Sequence, residues 1–188
     1  MQLLIAKLFW DPIKELANFE VGKSYLFYYI KKERKDERMI QSFINTLTTL
    51  TSNDSSVQFQ NDCIKSQGCN SWLCHNTGSA NYDIVKCGLY EIDFNATVSS
   101  ATAGIVAFAL FYNGEQIPGT LMAETLAAAG AYSDIGINKK IKVCCNGNAN
   151  ISVRSVPFVP DATDTTAPSI ATQIPLIANA NFSISRKA

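Results

Sequence analysis

A single histidine among 188 residues narrows the available chemistry at once. Any Ser-His-Asp or Cys-His nucleophile has to pass through His75. Its neighbour Cys74 is a poor partner, because adjacent strand residues point to opposite faces. A structural or satisfied surface histidine is the favoured reading. Cys63, Cys69, Cys74 and His75 are clustered, yet no Cys-x2-Cys pair exists, and structural zinc prefers that grip. No phosphate-cradling glycine loop is present, and neither is a collagen-like Gly-x-y tract. No apolar run approaches the ~18 residues needed to span a bilayer. Formal charge is zero, so the chain lacks the basic excess of a nucleic-acid binder.

Secretory features are equally scarce. Leu3-Leu4-Ile5 is interrupted by Lys7, then by Asp11 and Pro12, with no small-residue cleavage site. The sequons at Asn53, Asn95, Asn150 and Asn181 are therefore read as strand-edge and turn residues. The same reasoning bears on the six cysteines, Cys63, Cys69, Cys74, Cys87, Cys144 and Cys145. A chain long enough to build a sizeable core needs no staples, so reduced thiols used as small core residues are expected.

What the chain does contain is a strong β signal around residues 88–120. From Gly88 to Val98 the residues alternate, with Tyr90, Ile92, Phe94, Ala96 and Val98 on one parity and Leu89, Glu91, Asp93 and Asn95 on the other. That is a strand with one buried face. Gly104 to Tyr112 is nearly all apolar, as for a strand covered on both faces. Asn113-Gly114 supplies the positive φ angles of a tight hairpin, and a third strand is expected from Gln116 to Met122. Downstream, strands are expected over Tyr132–Ile137, Lys139–Cys145, Ile151–Val156 and Leu176–Arg186. In the last of these Ile177, Phe182 and Ile184 point inward, either by parity or after a bulge. Upstream, Val57-Gln58-Phe59 reads as the first strand, Trp72 to His75 as one short strand, and Tyr82 to Val85 leads into Gly88. Ala123–Ala131 and Pro157–Pro175 read as loops, the latter holding four of the six prolines.

The first 38 residues differ in character. They carry eight Lys/Arg and six Asp/Glu, against eight and ten in the remaining 150. Asp11-Pro12 is a good helix start and Gly22 a possible stop. Ile40, Phe43, Ile44, Leu47 and Leu50 then recur at three- and four-residue spacing, an apolar stripe of helical period. In a monomer such a stripe packs on the sandwich; in a trimer it forms a short coiled coil, the favoured reading, because a fibre domain needs a stalk. Residues 1–50 are thus expected to be a helical anchor or stalk and residues 51–188 a head. Met39 marks either the end of an anchor or an alternative start.

The runs Gly88-Leu89-Tyr90 to Phe94-Asn95-Ala96-Thr97-Val98, Ala103-Gly104 to Phe108 and Asn113-Gly114 to Ile117-Pro118-Gly119-Thr120 carry a resemblance. So do Ile141 to Cys145, Asn150 to Val153 and Ala178 to Arg186. Together they resemble the trimeric jelly-roll domains of the tumour-necrosis-factor and complement-globular-head type. The bacterial and phage branch is the nearest, found at the C-termini of collagen-like spore proteins and in phage and prophage proteins of Gram-positive bacteria. The likeness covers about Leu47 to Ala188 and lies in strand order and turn chemistry. It implies a mainly β, two-sheet antiparallel jelly roll of eight or nine strands. It also implies three protomers about an axis, where the aromatic and aliphatic outer faces of one sheet meet.

Remaining chemistry is weighed against bland alternatives. Glu91 and Asp93 share a strand face, but the polar outside of an amphipathic strand is favoured over a glycosidase pair. Asp93 and Asp134 do not sit in calcium-loop spacing. Lys139, Lys140 and Lys142 read as a solvated edge that discourages aggregation. No catalytic residue, cofactor or metal is expected. The expected role is that of a phage virion protein: a trimeric head- or tail-fibre or decoration protein that attaches to host-surface glycan or protein, with residues 1–50 engaging capsid or tail protein. It would be exposed on the particle surface after assembly in the host cytoplasm, without nucleic-acid binding or membrane insertion. The alternatives are a glycan-degrading hydrolase head and a spore-surface or secreted cell-contact protein.

Overall fold

The computed structural model describes residues 39–64, 72–144, 148–158 and 172–187. The chain divides between Arg38 and Met39. The helical anchor expected over residues 1–38 lies outside the described residues.

From Met39 onward the described chain is built of strands. In order they are β1 (Met39–Ile44), β2 (Thr48–Thr49), β3 (Asn61–Ile64), β4 (Leu73–His75), β5 (Tyr82–Ile84) and β6 (Gly88–Ser100). Then follow β7 (Gly104–Tyr112), β8 (Glu115–Gln116), β9 (Met122–Leu126), β10 (Ser133–Val143), β11 (Ala149–Ser155) and β12 (Pro175–Lys187). One sheet runs β10-β6-β12-β1-β3, with β2 also on β12; the other runs β4-β5-β11-β7-β8, with β9 also on β7. Every strand pair is antiparallel. The result is the expected two-sheet sandwich.

Alternation explains the first sheet. Tyr90, Ile92, Phe94, Ala96 and Val98 of β6 are buried, and Glu91, Asp93, Asn95 and Thr97 take the other face. On β12 the pattern changes parity. Ile177 is buried on an odd position, Phe182 and Ile184 on even ones. A register shift between Ile177 and Asn179 makes the change, which is what a bulge does. The sheets meet through aromatic contacts: Phe94 of β6 lies 5.6 Å from Phe108 of β7, and Phe182 of β12 lies 4.6 Å from Tyr82 of β5. Edge-to-face and tilted pairs of this kind add to plain area burial.

Four expectations need correction. The stripe Ile40 to Leu50 is not a helix. Its first part is β1, paired along its length with β12 from Met39↔Ser185 to Ile44↔Ala180, and Ile40, Ile44 and Leu50 enter the core. Residues 39–50 therefore form no coiled-coil stalk. Val57 to Phe59 is not the first strand; it runs beside β11 through a backbone bond from Val57 N–H to Val153 O, and both apolar side chains are fully buried. The third strand expected at Gln116–Met122 is split into β8 and β9, separated by the turn at Pro118-Gly119. The loop expected at Ala123–Ala131 begins as β9, because the edge of β7 from Gly104 to Phe108 offers it a ladder.

Candidate functional site

Positions along the sandwich follow from the registers. Met39 stands opposite Ser185, and Lys187 opposite Leu89, so the described chain enters and leaves at one end. The other end carries the turns after β1, after β6 and before β10, together with the start of β12, where Pro175 faces Ser100. Three large exposed hydrophobics sit on these far-end turns: Leu47 (64% exposed), Tyr132 (62%) and Ile174.

The outer face of the first sheet is polar. Asp134, Gly136, Asn138, Lys140 and Lys142 project from β10, and Asn95 and Asn181 from its neighbours. The second sheet differs: the outward Ala107 and Ala109 of β7 are buried with Val156, beneath Phe111, Ala123 and Phe158. The Arg154 guanidinium lies 4.6 Å over the Phe111 ring. Towards the far half of the first sheet the strand row Asn181–Asn95–Gly136 crosses a shallow depression of about 400 Å³, lined also by Thr97, Asp134 and Asn179. Gly136 opens it, since a Cβ there would stand 3.0 Å from Asn95 Oδ1.

The carboxylates singled out from the sequence are engaged. Glu91 meets Lys187 Nζ at 2.5 Å and Lys140 Nζ at 3.7 Å. Those ammonium groups, Lys187 first, hold its carboxyl below the usual range. Asp93 accepts a hydrogen bond from Asn138, and Asp134 one from Thr97 at 2.6 Å. The three lysines separate: Lys140 and Lys142 face outward on the edge strand β10, whereas Lys139 donates to Pro118 O at 2.9 Å.

His75 is not on a surface. It sits on β4 in a sealed polar cluster that sequence spacing does not reveal. Its Nδ1 lies 3.0 Å from Asp62 Oδ1 of β3, and the two side chains are 0% and 3% exposed. Its Nε2 bonds to Ser79 O at 3.1 Å. Asp62 also accepts from Ser42 Oγ of β1 at 2.5 Å and from Thr77 Oγ1 at 3.0 Å. The Tyr82 ring stacks on the imidazole at 3.9 Å and 5°. Burial, with Asp62 adding and Ser42 opposing, pushes the Tyr82 phenol far above its usual range. Ser, Asp and His are all present, but the serine donates to the aspartate rather than to the imidazole, and Nε2 is taken up by Ser79 O. This arrangement cannot activate a nucleophile.

The cysteine expectation is corrected in part. Cys87 is disulfide-bonded, while Cys144 is an exposed thiol. Cys69 and Cys145 lie outside the described residues. Among the described residues no group of three His, Cys, Asp or Glu is placed to hold a metal ion. Among the described residues no helix is long and apolar enough to cross a membrane, and that says nothing of strands.

No family model matches the sequence, and no curated protein matches it. Solved structures do resemble the fold. The globular domain of zebrafish complement 1qA protein aligns with a TM-score of 0.47 at 7% identity, over 80% of this chain and 98% of that one. Murine APRIL, crystallised at pH 5.0, aligns with a TM-score of 0.50 at 8% identity, over 79% and 98%. At such identities the likeness concerns the fold alone: the chain from Met39 onward has a jelly roll of the tumour-necrosis-factor type.

Proposed function

We infer that the protein is a non-catalytic virion structural protein of a bacteriophage, exposed on the particle as a head- or tail-fibre or decoration protein. Residues 39–188 form a jelly-roll head that assembles as a trimer, and residues 1–38 attach it to capsid or tail protein. The head contacts glycan or protein on a bacterial surface. The trimer rests on the fold type, and the phage setting on the sequence resemblance around Gly88–Thr120.

The observation that carries the reading is the two-ended layout of the sandwich. The chain enters at Met39, beside Ser185, and exposed Leu47, Tyr132 and Ile174 lie on the turns of the opposite end. Loops on a rigid scaffold are where binding residues concentrate. Three copies side by side would present three such ends together, so weak single contacts add up.

Two measurements test this. Mass spectrometry of purified particles should find the chain as a structural component. Recombinant protein should bind intact Gram-positive cells or their walls, and Leu47→Ser combined with Tyr132→Ser should weaken that binding at least about tenfold without changing the fold. Absence from particles, or equal binding by the double variant, would overturn the reading.

A further inference from the structure

The geometry points to a pocket between β8 and β10 that binds a single neutral N-acetylated sugar unit. The site is separate from the far-end turns, and it stands without the phage setting.

The pocket exists because the core is left uncovered there. β10 is an edge strand of the first sheet and β8 of the second. Tyr112 at the end of β7 and Ile141 on β10 both pack against the main core, yet neither is fully buried. With Ile117 and Pro118 they line a pocket of about 330 Å³. Glu115, Gln116 and Lys142 complete the lining, and all three are exposed. Ligand sites run from ~300 to ~1,000 Å³, so this one suits one ring rather than a chain of them.

Its walls are fixed in advance. The Ile117 N–H donates to Leu110 O at 2.8 Å. The buried Thr120 hydroxyl donates to Ile117 O at 2.7 Å and accepts from the Leu110 N–H at 3.2 Å. Lys139 reaches from β10 to Pro118 O, which ties the turn to the opposite sheet. The hairpin tip is held as well, since Asn113 Oδ1 accepts from the Asn150 N–H at 2.7 Å. A preformed wall spares a ligand the cost of ordering it.

The lining chemistry selects the ligand. An aromatic ring and an aliphatic wall stand beside a carboxylate, an amide and an ammonium. Among the described residues the side chains of Tyr112, Glu115, Gln116 and Lys142 have no hydrogen-bond or ion-pair partner. All four are therefore free to serve a ligand. A pyranose matches this set: one face presents C–H groups to the Tyr112 ring, and its rim carries hydroxyls. Glu115 accepts from a hydroxyl, Lys142 donates to one, and the Gln116 amide does both. That amide also complements the N–H and C=O of an acetamido group, whose methyl meets Ile117, Pro118 and Ile141. The charges of Glu115 and Lys142 cancel, which favours a neutral sugar over an anionic wall polymer. The larger depression on the first sheet has no aromatic ring in its lining.

Proton–nitrogen NMR of the full chain, titrated with N-acetylglucosamine, tests the assignment. Binding should saturate with a Kd of about 1–10 mM. The largest shifts should fall on Tyr112, Glu115, Gln116, Ile117, Ile141 and Lys142, with Leu47 and Tyr132 unmoved. Glucose, which lacks the acetamido group, should bind at least about tenfold more weakly. Glu115→Gln combined with Lys142→Gln should weaken N-acetylglucosamine binding at least about tenfold without changing the melting temperature, because both side chains are exposed and unpaired. No saturable shift, shifts centred elsewhere, equal binding of glucose, or equal binding by the double variant would overturn the site. Shifts produced by a tetra-alanine peptide and not by the sugar would overturn it too, in favour of a peptide strand at these edges. The titration reads free sugar in solution, so its failure is distinct from failure of the far-end contacts with cells.

Discussion

Ser42 donates a hydrogen bond to Asp62 from a wholly buried position on β1. That one contact explains why β1 hides in the sequence. Its inward side chains are Ile40, Ser42 and Ile44, and the polar serine breaks the apolar alternation that would have announced a strand. What remains visible is Ile40, Phe43, Ile44 and Leu47, which mimics a helix period.

A chain beginning at Met39 should therefore fold, and a chain beginning at Thr51 should not. The longer form keeps β1 and β2. The shorter one strips β12 of two neighbours and removes Ile40, Ile44 and Leu50 from the core. At roughly 1.5–3 kcal/mol for each buried aliphatic side chain, the loss rivals the whole stability of a domain. Thermal melts by circular dichroism check this; a cooperative melt from the Thr51 form would refute it.

Legibility elsewhere tracked how local the determining physics was. β6, β7 and the Asn113-Gly114 turn were readable because alternation, apolar runs and positive φ are written in adjacent residues. The parity change on β12 was readable from Ile177 against Phe182. β9 was not, because Met122 to Leu126 is a strand only through its pairing with β7, a tertiary cause. The polar cluster was invisible for the same reason: Ser42, Asp62 and His75 come from three strands and two sheets. Nothing local marks the bond at Cys87: a chain long enough to bury its own core has no need of disulfides, but it is free to form them.

The hairpin turn has a definite cost. Asn113 and Gly114 have φ of 51° and 86°, and a Cβ on Gly114 would meet nothing within 4 Å. Gly114→Ala should thus destabilise through backbone conformation alone, by about 1 kcal/mol. Urea midpoints measure it. An unchanged midpoint would mean that the turn relaxes to another type.

Glu91 should matter little, and only at low salt. Its carboxyl is held below the ordinary value of 4.5 by Lys187 and Lys140. A depressed carboxylate stabilises the fold above that value and loses the effect as the pH falls through its folded-state value. The small stability gap between wild type and Glu91→Gln should therefore close on acidification below about pH 4, and also in high salt. A gap that widens at low pH would contradict the assignment.

Thiol chemistry separates two cysteines. Native protein should label at Cys144 with a maleimide, because that thiol is exposed. Cys87 should stay unlabelled even after unfolding, until a reductant is added. Peptide mapping reads both. Labelling of Cys87 without reductant would show that it carries no disulfide.

The central claim is that the fold serves a trimeric head. Size-exclusion chromatography with light scattering on the full chain at micromolar concentration tests it most directly. The account predicts a single species of about three times the chain mass. A stable monomer would contradict it, and the proposed attachment role would fall with it.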